Sequence, residues 1–160
     1  MMQNRWVVLC GFILLCLVVG GVSGAITPRA ILEWYPTLNK PPFNPPNWVF
    51  GPVWTVLYVM MAVAAWRAWA KGAKVNGALG WFYVQLALNF LWTFLFFGAH
   101  AIGAALIEIV LLWASIAVTG IKFWKIDHTA GWLMAPYLAW VSFAGYLNFV
   151  LWRMNPILLG

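Results

Sequence analysis

Charge is the scarcest feature of this sequence. Only 8% of its 160 residues are charged, and three of them are acidic. A soluble domain carries about 25% charged residues, so this chain lacks the polar surface that water requires. Apolar residues make up 65% of the chain, and they fall in blocks of about 20 or more, the length at which a helix crosses the hydrocarbon core. The composition therefore excludes a soluble domain and predicts an integral membrane protein.

The apolar blocks also lack the alternation of apolar and polar residues that marks a membrane β-strand. Because lipid permits only helices or closed barrels, and barrel strands alternate, the blocks predict helices. We expect an all-α membrane protein, a single domain over residues 1–160 with a bundle of five transmembrane helices. Their approximate bounds are 5–27, 46–70, 78–98, 101–124 and 129–153.

The first apolar block allows two interpretations. A basic residue, an apolar core and the small residues Val22-Ser23-Gly24 fit a secretory signal peptide. The block is long for a signal, however, and Gly20-x-x-x-Gly24 resembles a helix-packing face. We therefore favour a retained first helix.

Cysteine and clustered metal ligands are scarce too. Cys10 and Cys16 both lie in the first block on different helix faces, so a disulfide within that helix is not expected. No Cys/His cluster has metal-binding spacing, and His100 and His128 stand alone near predicted helix ends. The sequence thus predicts neither a disulfide nor a metal site.

The positive charges are dispersed over the predicted helix ends, although the net charge is +6. This distribution is typical of anchoring at headgroups and predicts no nucleic-acid partner. The end that holds the N-terminus carries Arg5, Arg67, Lys71, Lys74, Lys122 and Lys125. The opposite end carries Arg29, Lys40 and Arg153. In a bacterial inner membrane the positive-inside rule then places the N-terminus in the cytoplasm, and an outer membrane remains the alternative.

Proline is concentrated in one stretch, Pro28 to Pro46, which holds six of the nine prolines. Proline has no backbone donor and disfavours a regular helix, so the stretch predicts a long loop between the first and second helices. A loop of this length is more often functional than idle. A passive connector is the alternative.

A series of motifs runs through the chain in order. They are Trp34-Tyr35-x-x-Leu38-x-Lys40-Pro41, Pro45-Pro46-x-Trp48, Trp54-x-x-Leu57-Tyr58, Gln85-Leu86-Ala87-Leu88-Asn89-x-x-Trp92, Phe96-Phe97-Gly98, Pro136-Tyr137-Leu138-Ala139-Trp140-x-x-Phe143-Ala144-x-x-Leu147-Asn148 and Trp152-Arg153. In order and spacing this series resembles the TspO/translocator protein family of tryptophan-rich membrane proteins. The thirteen tryptophans agree with the resemblance.

The resemblance implies a five-helix bundle whose first loop covers a pocket. The lid residues would be Trp34, Tyr35, Lys40 and Pro41. It also implies binding of protoporphyrin IX or haem and of isoquinoline-carboxamide and benzodiazepine-type ligands, with no required cofactor, and a homodimer. Candidate dimer contacts are Gly20-x-x-x-Gly24 and Ala101-x-x-x-Ala105. The implied role is that of a membrane transporter or sensor, in a bacterial cell membrane.

Helical spacing supports a pocket independently of the resemblance. Polar and aromatic residues share a face on each of the second, third and fifth helices, and polar groups are costly in lipid, so these faces should point inward. Such faces suit a planar, mostly apolar ligand. The predicted ligand-binding residues are Trp54, Tyr58, Gln85, Asn89, Trp92, Trp140, Ala144 and Asn148. The alternative is that the polar residues join helices and the tryptophans mark the membrane interface.

Three further features bear on the ligand. Lys40 and Arg29 in the first loop are candidates to meet porphyrin carboxylates. Glu108, the one acid inside a predicted span, is either functional or bonded to a neighbouring helix. Animal members carry a cholesterol motif around a tyrosine late in the fifth helix. Here Phe149 stands in its place before Arg153, which argues against specific cholesterol binding.

Two other functions remain open. Tryptophans beside a bound photosensitiser would suit a light-dependent protoporphyrin-degrading enzyme, and a regulatory or structural protein could hold an incidental pocket. The sequence contains no assembled acid–base set, so no catalytic residue is assigned. We favour a tetrapyrrole-binding transporter or sensor.

Overall fold

The computed structural model describes residues 2–156 and the side chains of residues 4–156. Its five long helices are α1 (Met2–Glu33), α2 (Asn47–Ala70), α3 (Ala78–Thr93), α4 (Ile102–Ile126) and α5 (His128–Met154). A π-helical turn, Phe94–Gly98, extends α3. With that extension all five are long and apolar enough to cross a membrane, and no strand occurs within the described range. The predicted five-helix, multi-pass membrane protein is confirmed.

The helices form a closed ring in the order α1, α2, α5, α4, α3, in which α3 and the π-helical turn return to α1. Small residues allow close approach at the centre of the ring. In α2, the alanines Ala62, Ala64, Ala65 and Ala68 are fully buried. Small side chains let helix backbones come close where lipid supplies no hydrophobic driving force.

The first helix is longer than the sequence predicted. It continues through Pro28 to Glu33, so the predicted loop over residues 28–46 is helical in its first six positions. A proline is tolerated in a membrane helix where nearby hydroxyls help to satisfy the backbone. Here the Thr27 hydroxyl donates to the Ser23 carbonyl at 2.8 Å, whereas the carbonyl that Pro28 leaves without an N–H donor is that of Gly24.

The connection over residues 34–46 is a folded segment fixed to the bundle. After a short 3₁₀ turn, Tyr35–Thr37, the backbone N–H of Asn39 donates to Asn155 Oδ1 at 2.9 Å. Asn155 Nδ2 donates back to the Asn39 carbonyl at 3.0 Å. Phe43 stacks on Tyr146 with 5.7 Å between ring centroids. The loop is therefore held against the C-terminal part of α5.

Both candidate dimer stripes are used inside the chain. A Cβ on Gly20 would lie 2.7 Å from the Tyr58 ring, so Gly20 is where α1 touches α2. Ala105 is fully buried. Gly24 of the first stripe is exposed, with nothing within 4 Å of a Cβ position, and the homodimer stays a prediction.

One ion cluster joins the helix ends near the N-terminus. Asp127, between α4 and α5, accepts from the Thr129 backbone N–H at 2.9 Å and so caps α5. Its other oxygen lies 3.0 Å from Arg67 Nη2 and 3.6 Å from Lys71 Nζ at the end of α2. Burial alone raises the pKa of this carboxyl, but the Thr129 hydrogen bond and the two positive charges outweigh burial and lower the pKa.

Candidate functional site

A cleft of about 580 Å³ separates α1 from α2 on one side of the bundle. Along α1 its lining runs from Leu17 to Leu32, which is about 22 Å at the rise of an α-helix. Gly21 and Gly24 of α1 and Thr55 of α2 line the cleft and are exposed on the outer surface. The cleft therefore opens sideways, toward the lipid that would surround the helices.

The two walls of the cleft differ in chemistry. The α1 wall is smooth, because Gly20, Gly21 and Gly24 have no side chains. The opposite wall, from α2 and the end of α3, is aromatic. It consists of Phe50, Trp54, Tyr58, Trp92 and Phe97. A slot between a smooth glycine wall and an aromatic wall fits a planar, mostly apolar molecule.

A buried hydrogen-bond chain supports the aromatic wall from behind. Tyr58 donates to Asn89 Oδ1 at 2.6 Å, and Asn89 Nδ2 donates to the Tyr137 hydroxyl at 2.8 Å. The chain links α2, α3 and α5 and fixes the Tyr58 ring. Trp54 packs against both tyrosine rings, at 5.8 Å from Tyr58 and 6.2 Å from Tyr137. Asn89 thus positions a wall residue and does not itself line the cleft.

Gln85 lines neither cavity of the bundle. It is fully buried in α3, where Nε2 lies 3.9 Å from the sulfur of Met61. The third-helix face that the sequence predicted is therefore divided. Trp92 reaches the cleft, whereas Gln85 and Asn89 lie in the interior.

The predicted residues of α5 line a second, much smaller cavity of about 30 Å³. Trp140, Ala144 and Asn148 surround it together with Trp92. Asn148 is already engaged, because it accepts from Trp92 Nε1 at 3.1 Å and donates to the Ile102 carbonyl at 3.0 Å. This smaller cavity, which we call the chamber, has room for about one water molecule in this conformation.

Three aromatic residues stand between the two cavities. Phe50, Trp92 and Phe97 line both the cleft and the chamber. The eight predicted ligand-binding residues thus fall into three groups. Trp54 and Tyr58 belong to the cleft, and Trp92 belongs to both cavities. The chamber holds Trp140, Ala144 and Asn148, and the interior holds Gln85 and Asn89.

The predicted lid residues cover the chamber end of the bundle. Tyr35 lines the chamber and donates to Asn44 Oδ1 at 2.6 Å. Burial raises the pKa of Tyr35 to about 12, against the opposing effect of that hydrogen bond. Trp34 packs edge-on against Phe96, with 5.7 Å between centroids, and Pro41 is buried in the loop.

The two cations that the sequence predicted as partners of porphyrin carboxylates lie in different surroundings. Lys40 Nζ donates to the Tyr35 carbonyl at 2.8 Å and to the Leu38 carbonyl at 3.2 Å. Arg29 lies 3.5 Å from Glu33 on the exposed end of α1. Lys40 is consequently part of the loop structure. Arg29 lies next to the lining residue Pro28, at the end of the cleft formed by the last turns of α1, which we call the rim.

His100 lies outside both cavities. Its ring stacks on Trp34 with 4.2 Å between centroids and 7° between planes. Its φ of +57° is the left-handed conformation that closes the turn between the π-helical turn and α4. Within residues 2–156, no group of three His, Cys, Asp or Glu side chains could hold a metal ion.

Sequence reasoning missed the α1 wall of the cleft. The glycines around Gly20 were interpreted as a packing face or part of a cleavage site, and neither Ser23 nor Thr27 was considered as a residue that lines a pocket. The available signal was the density of small residues in one stretch of a helix that otherwise consists of large apolar ones. Small residues that face a helix with large aromatics leave room for a ligand as readily as they bring backbones together.

Comparison with known proteins identifies the family to which the chain is similar. The profile of the TspO/MBR family matches residues 12–153. The chain is 44% identical over 145 residues to the tryptophan-rich protein TspO of Chlorobaculum tepidum, covering 89% of this chain and 92% of that protein. It is 40% identical over 145 residues to protein CrtK of Rhodobacter capsulatus, covering 88% of each. It is 37% identical over 162 residues to the translocator protein of Bos taurus, covering 98% of this chain and 95% of that protein. The chain belongs to the TspO/MBR family.

Proposed function

We propose that this protein binds a planar tetrapyrrole such as protoporphyrin IX or haem in the cleft between α1 and α2. The observation that carries the proposal is the slot of about 580 Å³ between a glycine wall and an aromatic wall. Its volume lies within the range of about 300–1,000 Å³ typical of small-molecule sites. Membership of the TspO/MBR family supports a membrane sensor or transporter role.

The chemistry of the slot suits a macrocycle whose carboxylates stay outside. Within the described residues the lining of the cleft carries no charge, and an unpaired carboxylate would be costly there. The ring would stack against Trp54 and Tyr58, while its propionates lie at the rim near Arg29. A lateral opening also favours ligands that partition into the bilayer, which includes isoquinoline-carboxamide and benzodiazepine-type molecules.

A dark titration of the detergent-solubilised protein with protoporphyrin IX tests this proposal. We expect saturable quenching of tryptophan emission in the wild type. Gly24→Leu should abolish that quenching, because the new side chain enters the cleft while nothing lies within 4 Å of its Cβ position. Gly11→Leu is the matched control, since Gly11 lies on the same helix with the same free space but outside the cleft. Wild-type titrations without saturation, or unchanged binding in Gly24→Leu, would contradict the proposal.

Light-dependent degradation of protoporphyrin is the second candidate. The observation that favours it is the cluster of Trp54, Tyr58 and Tyr137 beside the cleft, in which the Trp54 ring lies 5.8 Å from the Tyr58 ring and 6.2 Å from the Tyr137 ring. The same titration repeated under illumination separates the two functions. Spectra that do not change in light would support binding alone. A new absorbing species that disappears in Trp54→Phe would support the enzyme.

A further inference from the structure

One hydroxyl in the cleft differs from the others. Thr27, Thr55 and Thr93 each donate to a backbone carbonyl four residues earlier, at 2.8, 2.9 and 3.3 Å. Their hydrogens are therefore not available to a ligand. Ser23 Oγ also lines the cleft, yet it has no hydrogen-bond partner among the described residues.

Ser23 is also buried, with 6% of its surface exposed. The Tyr58 hydroxyl lies close to Ser23, but it gives its own proton to Asn89 Oδ1 at 2.6 Å. The distance and angles between Ser23 Oγ and the Tyr58 hydroxyl are not those of a hydrogen bond. A buried hydroxyl without a partner costs free energy, because it gives up water and gains nothing in return. A bound molecule that brings an acceptor would recover that loss.

We propose that Ser23 is the polar anchor of the cleft and donates a hydrogen bond to an uncharged carbonyl oxygen on the inner edge of the ligand. The inference rests on the proposed function, because it concerns the same cleft. An uncharged acceptor fits, since no lining residue within the described range could neutralise a carboxylate. A carbonyl is the strongest neutral acceptor that the edge of a macrocycle or a carboxamide offers.

The position of Ser23 along α1 determines which edge of the ligand it would contact. Ser23 lies five residues before Pro28, or roughly 7 Å deeper along the helix axis. If the propionates stay at the rim near Arg29, the substituents on the opposite edge of the macrocycle face Ser23. The structure thus assigns the preferred ligand class as tetrapyrroles that carry a carbonyl group on the edge remote from their carboxylates.

Two porphyrins that differ only at that edge test the inference. Diacetyldeuteroporphyrin carries acetyl groups where mesoporphyrin carries ethyl groups, and both retain the propionates. We expect the wild type to bind the diacetyl compound about threefold to tenfold more tightly, the effect of one neutral hydrogen bond. Ser23→Ala should remove this preference. Thr55→Val, which also deletes a cleft hydroxyl, should leave the preference intact because that hydroxyl is bonded to Gly51.

Three results would overturn the inference. They are equal affinity of the wild type for both porphyrins, a preference that survives in Ser23→Ala, and an equal loss of affinity for both porphyrins in that variant. The last result would mean that Ser23 acts only through packing of α1. Mesoporphyrin reports on the proposed function by itself, because it needs no bond from Ser23. If the wild type binds neither porphyrin, the proposed function fails and this inference fails with it.

Discussion

The two sides of the bundle are built on opposite principles. On the side of α1 and α2, three glycines at the cleft, Gly21, Gly24 and Gly51, have nothing within 4 Å of a Cβ position. On the side of α4 and α5, a Cβ on Gly131 would lie 2.8 Å from the backbone of Trp124. The same residue type therefore leaves a cavity at these three positions and permits close helix contact at Gly131, as it does where Gly20 meets Tyr58. What a glycine does in a membrane helix depends on the residue that faces it.

A matched pair of substitutions gives the largest expected difference between the sides. Gly131→Leu should destabilise the protein by about 3 kcal/mol or more, because the Trp124 backbone cannot move aside without displacing α4. Gly21→Leu should leave stability unchanged or raise it by up to about 0.8 kcal/mol, since leucine favours a helix more than glycine does. The midpoint of thermal unfolding in detergent measures both. Equal losses in the two variants would contradict the contrast between the sides.

Substitutions at Asn89 and Gln85 of α3 form a second pair, which tests hydrogen bonds between helices and not the space around a glycine. Asn89→Leu removes both interhelical bonds of the chain that joins α2 to α5 and leaves the hydroxyls of Tyr58 and Tyr137 without partners. We expect a loss of about 2 kcal/mol. Gln85→Leu should cost less than about 1 kcal/mol, because in the described part of the chain the Gln85 side chain makes one weak hydrogen bond, to the Met61 sulfur at 3.9 Å, and its Oε1 has no partner.

Detergent unfolding of these two variants side by side gives the comparison. A Gln85 variant as unstable as the Asn89 variant would mean that Gln85 has an acceptor or donor partner in the assembled protein. That result would also return Gln85 to the list of candidate ligand contacts.

The ion cluster at the N-terminal end provides a smaller, pH-dependent effect. Asp127 holds the end of α2 against the turn between α4 and α5. Its pKa is lowered in the folded protein from the ordinary value of 3.8. A carboxyl with a lowered folded pKa stabilises the protein above its unfolded pKa, and the contribution is lost as the pH falls through the folded value.

Two variants separate the charge of Asp127 from its role as a cap. Asp127→Asn keeps the N-cap of α5 but removes the charge, so its stability should stay level where that of the wild type falls, below about pH 4. Asp127→Ala should lose about a further 1 kcal/mol at neutral pH, because the cap is lost as well. Unfolding midpoints between pH 3 and pH 7 are the measurement. A parallel decline of the wild type and Asp127→Asn would assign the acid sensitivity to another group.

The sequence predicts features that depend on residues close together in the chain, and it does not predict features that depend on contacts between distant residues. Five spans were predictable, because span length is set by the thickness of the bilayer and read from consecutive residues. The end of α1 was not, since Pro28 breaks a helix in most settings, yet α1 continues through it to Glu33. Helical spacing correctly identified faces that point inward, such as that of Trp54 and Tyr58.

Spacing could not divide those faces between two cavities. Trp54 and Trp140 were grouped in one pocket, but the first lines the cleft and the second lines the chamber. The division depends on how α1 diverges from α2 beyond the contact of Gly20 with Tyr58. That contact joins residues 38 positions apart, and no local pattern encodes it. The unpartnered state of Ser23 likewise depends on which acceptors the folded chain places around it.

Glu108 on the packed side gives the smallest expected effect and the sharpest contrast with Ser23. Both are buried, and neither Glu108 carboxyl oxygen has a hydrogen-bond partner within residues 2–156. Glu108, however, lines neither the cleft nor the chamber. Glu108→Gln should therefore change stability by less than about 0.5 kcal/mol and leave protoporphyrin binding as it is in the wild type, because no contact is lost. Detergent unfolding and the dark titration measure the two effects. A loss of more than about 2 kcal/mol would contradict this prediction and show that the buried carboxyl makes a hydrogen bond that the amide cannot replace.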